Sequence, residues 1–204
     1  MVTRKYEQRL RAESAEETRR RILDAVADRL RSTPIEPINL EQIAQTARVS
    51  RSTIYLVFGS RAGLFDAFVE DLWARTGLPA LTKAVSAPDA REHLRAGLNA
   101  ASRMYAADRD IYRALYSMAR LDPATVGDAV ARMESERTGG MAYLARRLSE
   151  DGVLRPDLTV RAAADILWVI CSFDALDLLL TGRKLSLTRA IDTLIEMAER
   201  SLFR

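Results

Sequence analysis

Apolar positions recur every three to four residues along almost the whole chain, and caps, glycines and prolines divide the runs into helices. A first helix is predicted over 15–31, with Ile22, Ala25, Val26 and Leu30 on its inner face and Pro34 and Pro37 starting the loop beyond it. A short helix over 40–46 follows. Asn39 is its N-cap, Gln42 completes an N-x-x-Q variant of the capping box, and Leu40, Ile43, Ala44 and Ala47 face inward. The next helix starts at Ser50, whose hydroxyl can cap the amides near Ser52 and Thr53, and runs to about Val57 with Ile54 inward and Phe58 as a further core residue. Ser60 caps a helix to about Thr76 bearing Leu64, Phe65, Phe68, Leu72 and Trp73, continued past Pro79 in a kinked or broken form. Asp89 caps a helix to about Ala107, Asp108 another to about Leu121, and a long helix follows Asp122 and Pro123 to about Glu150, with Gly139-Gly140 as a candidate break. Gly152, Pro156 and Asp157 mark a turn before two closing helices over 158–181 and 187–203. The pattern contains no repeat, low-complexity tract or strand-like alternation, so the predicted fold class is all-α with about nine helices.

The segment from Asn39 to Leu64 carries the most specific spacing. Ala44 is small where a second helix must cross closely, Val49 sits just past the turn and Ile54 falls ten residues after Ala44, which is helix-turn-helix spacing. Arg51, Ser52, Thr53, Tyr55 and Leu56 are left facing outward. Ser60 begins a helix whose amides at Arg61, Ala62 and Gly63 point out of a positive helix end beside the Arg61 guanidinium, a ready phosphate site. Three short helices of an ordinary all-α core would give the same bare pattern. The wording is more specific: T-I-Y-x-x-F-x-S-R-x-x-L, read as Thr53, Ile54, Tyr55, Phe58, Ser60, Arg61 and Leu64, closely resembles the DNA-binding domain of the tetracycline-repressor (TetR/AcrR) family. The resemblance is specific over about Thr18 to Phe68 and architectural beyond.

The resemblance implies a helix-turn-helix DNA-binding domain over 1–60 with an N-terminal arm, and a C-terminal ligand-binding and dimerisation domain over 61–204. The DNA-contacting residues it points to are Asn39, Arg48, Ser50, Arg51, Ser52, Thr53, Tyr55, Leu56, Ser60 and Arg61. Several positions depart from the family pattern. Arg48 stands in the turn where the family usually has Gly, so a positive φ there carries strain, and its guanidinium is available to a phosphate. Leu56 and Val57 replace polar or aromatic residues common in relatives, which weakens hydrogen-bonded base reading and leaves Leu56 able to touch a thymine methyl. Gly59 and Gly63 flank the phosphate-site helix start, and Gly63 lowers its helix propensity.

Charge supports this placement. Residues 1–61 hold 12 Lys/Arg against 8 Asp/Glu, a net +4, whereas 62–204 hold 19 against 20, a net −1. The basic excess lies where phosphate contact is expected. Arg4, Lys5, Arg9 and Arg11 against Glu7 suit a mobile arm reaching into a minor groove, or equally a disordered end. A hydrophobic content of 48% in 204 residues can bury one core or two small ones. The lone cysteine, Cys171, reads as a small core hydrophobe in a reducing compartment. Residues 1–18 are charged, unlike a secretory signal, and the longest apolar stretch, 166–180, is interrupted by Asp174 and Asp177 and is shorter than the ~20 residues of a membrane span. A cytoplasmic protein is expected.

The closing helices are apolar on more than one side, which predicts burial both against their own core and against a symmetry mate. The dimer interface expected is a four-helix arrangement using Ile166, Ile170, Phe173, Leu176, Leu180, Ile191, Leu194 and Ile195; a central core helix of a monomer is the alternative. Large adaptable side chains in the middle of the chain either fill the core or line a pocket. The candidate lining is Arg103, Met104, Tyr105, Tyr112, Tyr116, Met133, Tyr143, Trp168 and Phe173, for a mostly apolar or aromatic effector. Catalysis has little support: the single histidine, His93, reads as a partly exposed helix residue, and no phosphate loop or metal-ligand spacing occurs. No catalytic residue, metal or cofactor is expected. The combined reading is a homodimeric, ligand-responsive transcriptional regulator that represses from a palindromic DNA operator. A small-molecule sequestering protein on the same scaffold, and more remotely an enzyme using the C-terminal pocket, are its alternatives.

Overall fold

Local capping chemistry sets most of the helix boundaries in the structure, a computed structural model that describes residues 2–32, 38–121 and 123–204, without the side chains at 2–5, 7, 11, 124 and 125. The expected loop at Pro34 and Pro37, the residue Asp122, and the side chains of Arg4, Lys5 and Arg11 therefore lie outside the described residues. The helices are α1 (Val2–Ser32), α2 (Leu40–Ala47), α3 (Arg51–Phe58), α4 (Arg61–Thr76), α5 (Leu78–Val85) and α6 (Ala90–Ala107). They continue with α7 (Arg109–Leu121), α8 (Pro123–Glu150), α9 (Val160–Ile170), α10 (Phe173–Asp177), a π-helical turn (Leu178–Gly182) and α11 (Leu187–Leu202). The fold is all-α, with eleven α-helices among the described residues rather than about nine.

Side-chain oxygens cap the helices, at Asp89 as expected and at Ser186 in addition. The Asp89 carboxylate accepts from the Glu92 amide at 2.8 Å, and the Ser186 hydroxyl accepts from the Arg189 amide at 3.3 Å. Three expectations change, and the broken continuation past Pro79 is met. α1 begins at Val2, so the backbone expected as a mobile arm or disordered end is helical. α8 runs unbroken through Gly139-Gly140. The helix expected over 158–181 is broken at Cys171, because the Ser172 hydroxyl accepts from the Ala175 amide at 3.1 Å and caps a new helix. The segment past Thr76 restarts as α5 at Gly77, where an added Cβ would lie 2.6 Å from Met104 Cβ, so only glycine allows this close approach to α6.

The chain forms two compact units, Met1–Leu72 with Arg113–Val130, and Trp73–Tyr112 with Ala131–Arg204. In the first, α1 packs on α2 and α2 on α3, burying Ile22, Val26, Leu30, Ile43, Ala44 and Ile54. In the second, α6 packs against α5 and α11, and α11 also meets α9. Its centre holds Tyr105, Tyr112 and Phe173 in mutual ring contact, with centroids 4.9–5.9 Å apart. No helix among the described residues is long and apolar enough to cross a membrane.

His93, expected to be partly exposed, is buried in the second unit. Beside it, the Arg147 guanidinium donates to the carbonyls of Val85 and Ala87 in and after α5 and comes within 3.5 Å of His93 Nδ1. Burial and then the Arg147 charge lower the His93 pKa. The folded state therefore favours neutral imidazole, and the resulting stability is complete above the unfolded pKa of about 6.5 and lost as pH falls through the folded value. His93→Gln is expected to flatten this loss by up to about 1.4 kcal/mol per pH unit below pH 6, read by urea unfolding of both proteins from pH 7.5 to 5. Parallel stability profiles would contradict it.

Candidate nucleic-acid interface

The turn between α2 and α3 is built from backbone hydrogen bonds at a strained residue. Arg48 has φ 55° and ψ 46°, in the left-handed region; its amide donates to the Gln45 carbonyl and the Val49 amide to the Ala44 carbonyl at 2.9 Å. This is a Schellman ending in which arginine occupies the position glycine usually takes, so the strain anticipated from the sequence is present. The Asn39 side chain starts α2 by accepting from the Glu41 amide at 2.8 Å. The Ser50 hydroxyl starts α3 by accepting from the Thr53 amide at 3.1 Å, and it also meets the hydroxyls of Ser52 at 2.7 Å and Thr53 at 2.8 Å. Ala44 and Ile54 are buried and Val49 half-buried at the crossing of the two helices.

Beyond α3, Gly59 turns the chain with φ 75°. Ser60 then caps α4 by accepting from the Gly63 amide at 2.9 Å. Gly63 has a second reason to be glycine: a Cβ there would collide with the Phe58 carbonyl oxygen. Its cost in helix propensity is thus the condition for bringing the end of α3 against the start of α4. The Arg61 guanidinium reaches back across 23 residues and donates to the Ile38 carbonyl at 2.7 Å, tying the start of α4 to the start of α2.

That tie forms one wall of an open recess of about 530 Å³. Of the residues expected to meet DNA, the structure brings Asn39, Arg51, Tyr55 and Arg61 together there. Arg29 from α1 and Gln42 from α2 join them, and neither carries a local signal for a place in this recess. Both were findable only by placing the end of α1 beside the start of α2. Arg51 lies over the Tyr55 ring at 5.8 Å and 3.4 Å from its hydroxyl, an arrangement that raises the arginine pKa and keeps it cationic. Three guanidinium groups, an amide-bearing pair and a phenol make a seat for an anion. The remaining candidates, Arg48, Ser50, Ser52, Thr53, Leu56 and Ser60, are not in the recess lining; Leu56 is 86% exposed on α3.

The pocket and interface candidates scatter more widely. Met104, Tyr105, Tyr112, Met133 and Phe173 are buried, Arg103 is exposed and bonded to Asn99 at 2.8 Å, and Tyr143 and Trp168 are largely exposed. Tyr116 is half-buried and belongs to the first unit. Burial pushes the Tyr112 phenol pKa up. Burial likewise raises that of Cys171 to about 12, which keeps the thiol protonated. Within the chain itself Ile170, Phe173, Leu176, Ile191 and Leu194 are buried, while Ile166, Leu180 and Ile195 are half-buried. Trp168, Val169, Leu178 and Met197 expose apolar surface on the same closing elements, the first of them under the Arg137 guanidinium at 4.4 Å. Among the described residues no group of three or more His, Cys, Asp or Glu is placed to hold a metal.

Residues 22–68 match the family described as bacterial regulatory proteins, tetR family. This segment is a tetR-family helix-turn-helix domain. The whole chain has the fold of TetR-family transcriptional regulators. It is similar to NalD, the secondary repressor of the MexAB-OprM multidrug efflux pump in Pseudomonas aeruginosa, with 24% identity, 94% of this chain and 98% of that one covered, and a TM-score of 0.72. It is also similar to the fatty acid degradation regulator FadR from Bacillus halodurans, with 17% identity, 89% and 94% coverage, and a TM-score of 0.71. A TetR family transcription regulator from Marinobacter aquaeolei VT8 aligns at 17% identity over 94% and 98% of the two chains, with a TM-score of 0.70. No curated protein matches the chain.

The tetR-type turn yields a two-sided prediction. Arg48→Gly relieves a left-handed penalty of about 1–2 kcal/mol at a cost of about 0.5–1 kcal/mol in unfolded-chain entropy. A net gain of about 0.5–1 kcal/mol is expected, read as a higher urea midpoint. The same variant is expected to lower DNA affinity at low salt by removing one cation from the exposed turn.

Proposed function

We propose that the protein is a homodimeric, ligand-responsive transcriptional repressor that binds a palindromic DNA operator and is released by a small, mostly apolar or aromatic effector. The observation that carries the DNA reading is the recess at the start of α2, where Arg29, Arg51 and Arg61 converge beside an exposed face of α3. A duplex offers a regular row of phosphates to such a seat, and the adjoining helix then enters the major groove in a fixed register. Arg61, Arg51, Arg29, Asn39 and Tyr55 hold the backbone in this scheme, while Ser52, Thr53 and Leu56 meet base edges and Arg48, Ser50 and Ser60 border the contact.

A single eight-residue helix spans too few base pairs for useful discrimination. Two copies, about 34–36 Å apart, read both halves of a palindrome on one side of the duplex. The exposed apolar side chains Trp168, Val169, Leu178 and Met197, with half-buried Ile166, Leu180 and Ile195, supply the surface for the second copy.

The effector site belongs to the second unit, near the aromatic group of Tyr105, Tyr112 and Phe173. α4 is one continuous helix whose first turn carries Arg61 and whose last carries Trp73 and Thr76. An effector that prefers a different setting of Trp73 therefore shifts the other end of the same helix and with it the DNA seat. Such coupling is reciprocal: operator DNA weakens effector binding by the factor with which the effector weakens operator binding.

The experiment that tests the DNA reading is selection of bound sequences from genomic fragments, followed by titration of the recovered site at several salt concentrations. The selected site is expected to be palindromic. Arg29→Ala and Arg51→Ala should each reduce the slope of log K against log[salt] by about 1 per half-site, with Arg51 acting as a phosphate contact. Slopes unchanged in both variants would remove the recess from the interface.

A further inference from the structure

Resting on the DNA reading above, we propose that Leu56 is the principal specificity residue of α3 and that it reads the C5 methyl group of a thymine in each half-site. The polar side chains of α3 are already occupied. Arg51 lies beside Tyr55 in the recess with Arg61, which directs it to the backbone rather than to a base. The hydroxyls of Ser52 and Thr53 both meet Ser50 Oγ in the cap of the helix, at 2.7 and 2.8 Å. Reading a base edge with either hydroxyl requires sharing it with the cap, and Thr53 is itself only partly exposed.

Leu56 has no such engagement. It is 86% exposed, more than Tyr55 at 40% or any other large apolar side chain among the described residues. It lies one helical turn beyond Ser52, so the two share a face of α3, and that face adjoins the arginine recess that would fix the duplex backbone. The major groove presents one apolar group, the thymine C5 methyl, and an aliphatic side chain gains from desolvating it while discriminating against cytosine and both purines. The basic first 61 residues, net +4, make a nucleic acid the charge-complementary occupant of this surface rather than an apolar protein partner.

The test compares thymine with uracil, which differ only by that methyl. Each thymine of the selected operator is replaced in turn by deoxyuridine, and affinities are measured for the full chain and for Leu56→Ala at one salt concentration. The full chain is expected to show one position per half-site at which uracil weakens binding about fourfold, and about 15-fold when both halves are changed, the factor given by about 0.8 kcal/mol for each methyl-sized group left unburied. Leu56→Ala should bind the thymine and uracil sites equally. Because Leu56 is exposed, its truncation is expected to leave the urea midpoint unchanged, which separates a reading defect from a folding defect. A full chain indifferent to uracil at every position would overturn the proposal while leaving DNA binding intact, and would assign Leu56 to some other contact. A uracil penalty that persists in Leu56→Ala would overturn it equally, by assigning the methyl to another residue. Failure to select any DNA site would overturn the DNA reading and this proposal together.

Discussion

The left-handed turn at Arg48 is the constraint on which the DNA-binding face depends. Two eight-residue helices are too short to hold themselves in water, so their direction must come from the junction and from the apolar contact it creates. The turn redirects the chain within three residues, satisfies the carbonyls of Ala44 and Gln45, and lets both Ala44 and Ile54 be buried. The arrangement of the candidate DNA face follows from that crossing. Ser50 can cap α3 only because the chain leaves the turn extended, with φ −83° and ψ 155° at that residue. The α3–α4 corner adds a second fixed point, since Gly63 lets the Phe58 carbonyl close in and Arg61 ties α4 to Ile38.

Features governed by a few consecutive residues were legible in the sequence. The caps at Asn39, Ser50, Ser60 and Asp89 belong to this class, as do the inward faces of α1, α2 and α4, because hydrogen-bonding side chains and a 3.6-residue period act locally. Three-dimensional meetings were not. Arg29 and Gln42 enter the recess only when α1 and α2 are docked, and the partner of Arg61 is a carbonyl 23 residues away. Buried His93 meets Arg147, which lies 54 residues along the chain. The break at Cys171 and Ser172 is a different failure: a continuous apolar run reads as one helix by periodicity, and a single serine cap inside it is enough to start another.

The same distinction bears on the closing helices. Their excess of apolar residues pointed to two burials, and part of that excess is absorbed inside the chain. Ile170, Phe173, Leu176, Ile191 and Leu194 are buried without any second copy. The outward surplus is narrower and sits on Trp168, Val169, Leu178 and Met197. Leu178 begins the π-helical turn, where the wider helical step rotates the following residues and changes which of the three consecutive leucines faces out. Periodicity at 3.6 residues cannot anticipate that rotation, and for that reason the sequence identified the apolar excess more successfully than its outward members.

Anchoring and reading are chemically separate on the DNA face. In the proposed interface, the guanidinium groups around the start of α2 interact with any duplex through charge, an attraction that salt weakens and base sequence does not alter. Discrimination then falls to the few side chains left on the outer face of α3, where the serine and threonine hydroxyls also serve the cap. A reading surface this small gives each half-site only modest selectivity, so a useful operator must combine two half-sites at a fixed spacing. In the proposed dimer that spacing is controlled by whatever sets the two copies of α4, and the proposed effector need not touch a single DNA-contacting residue to change it.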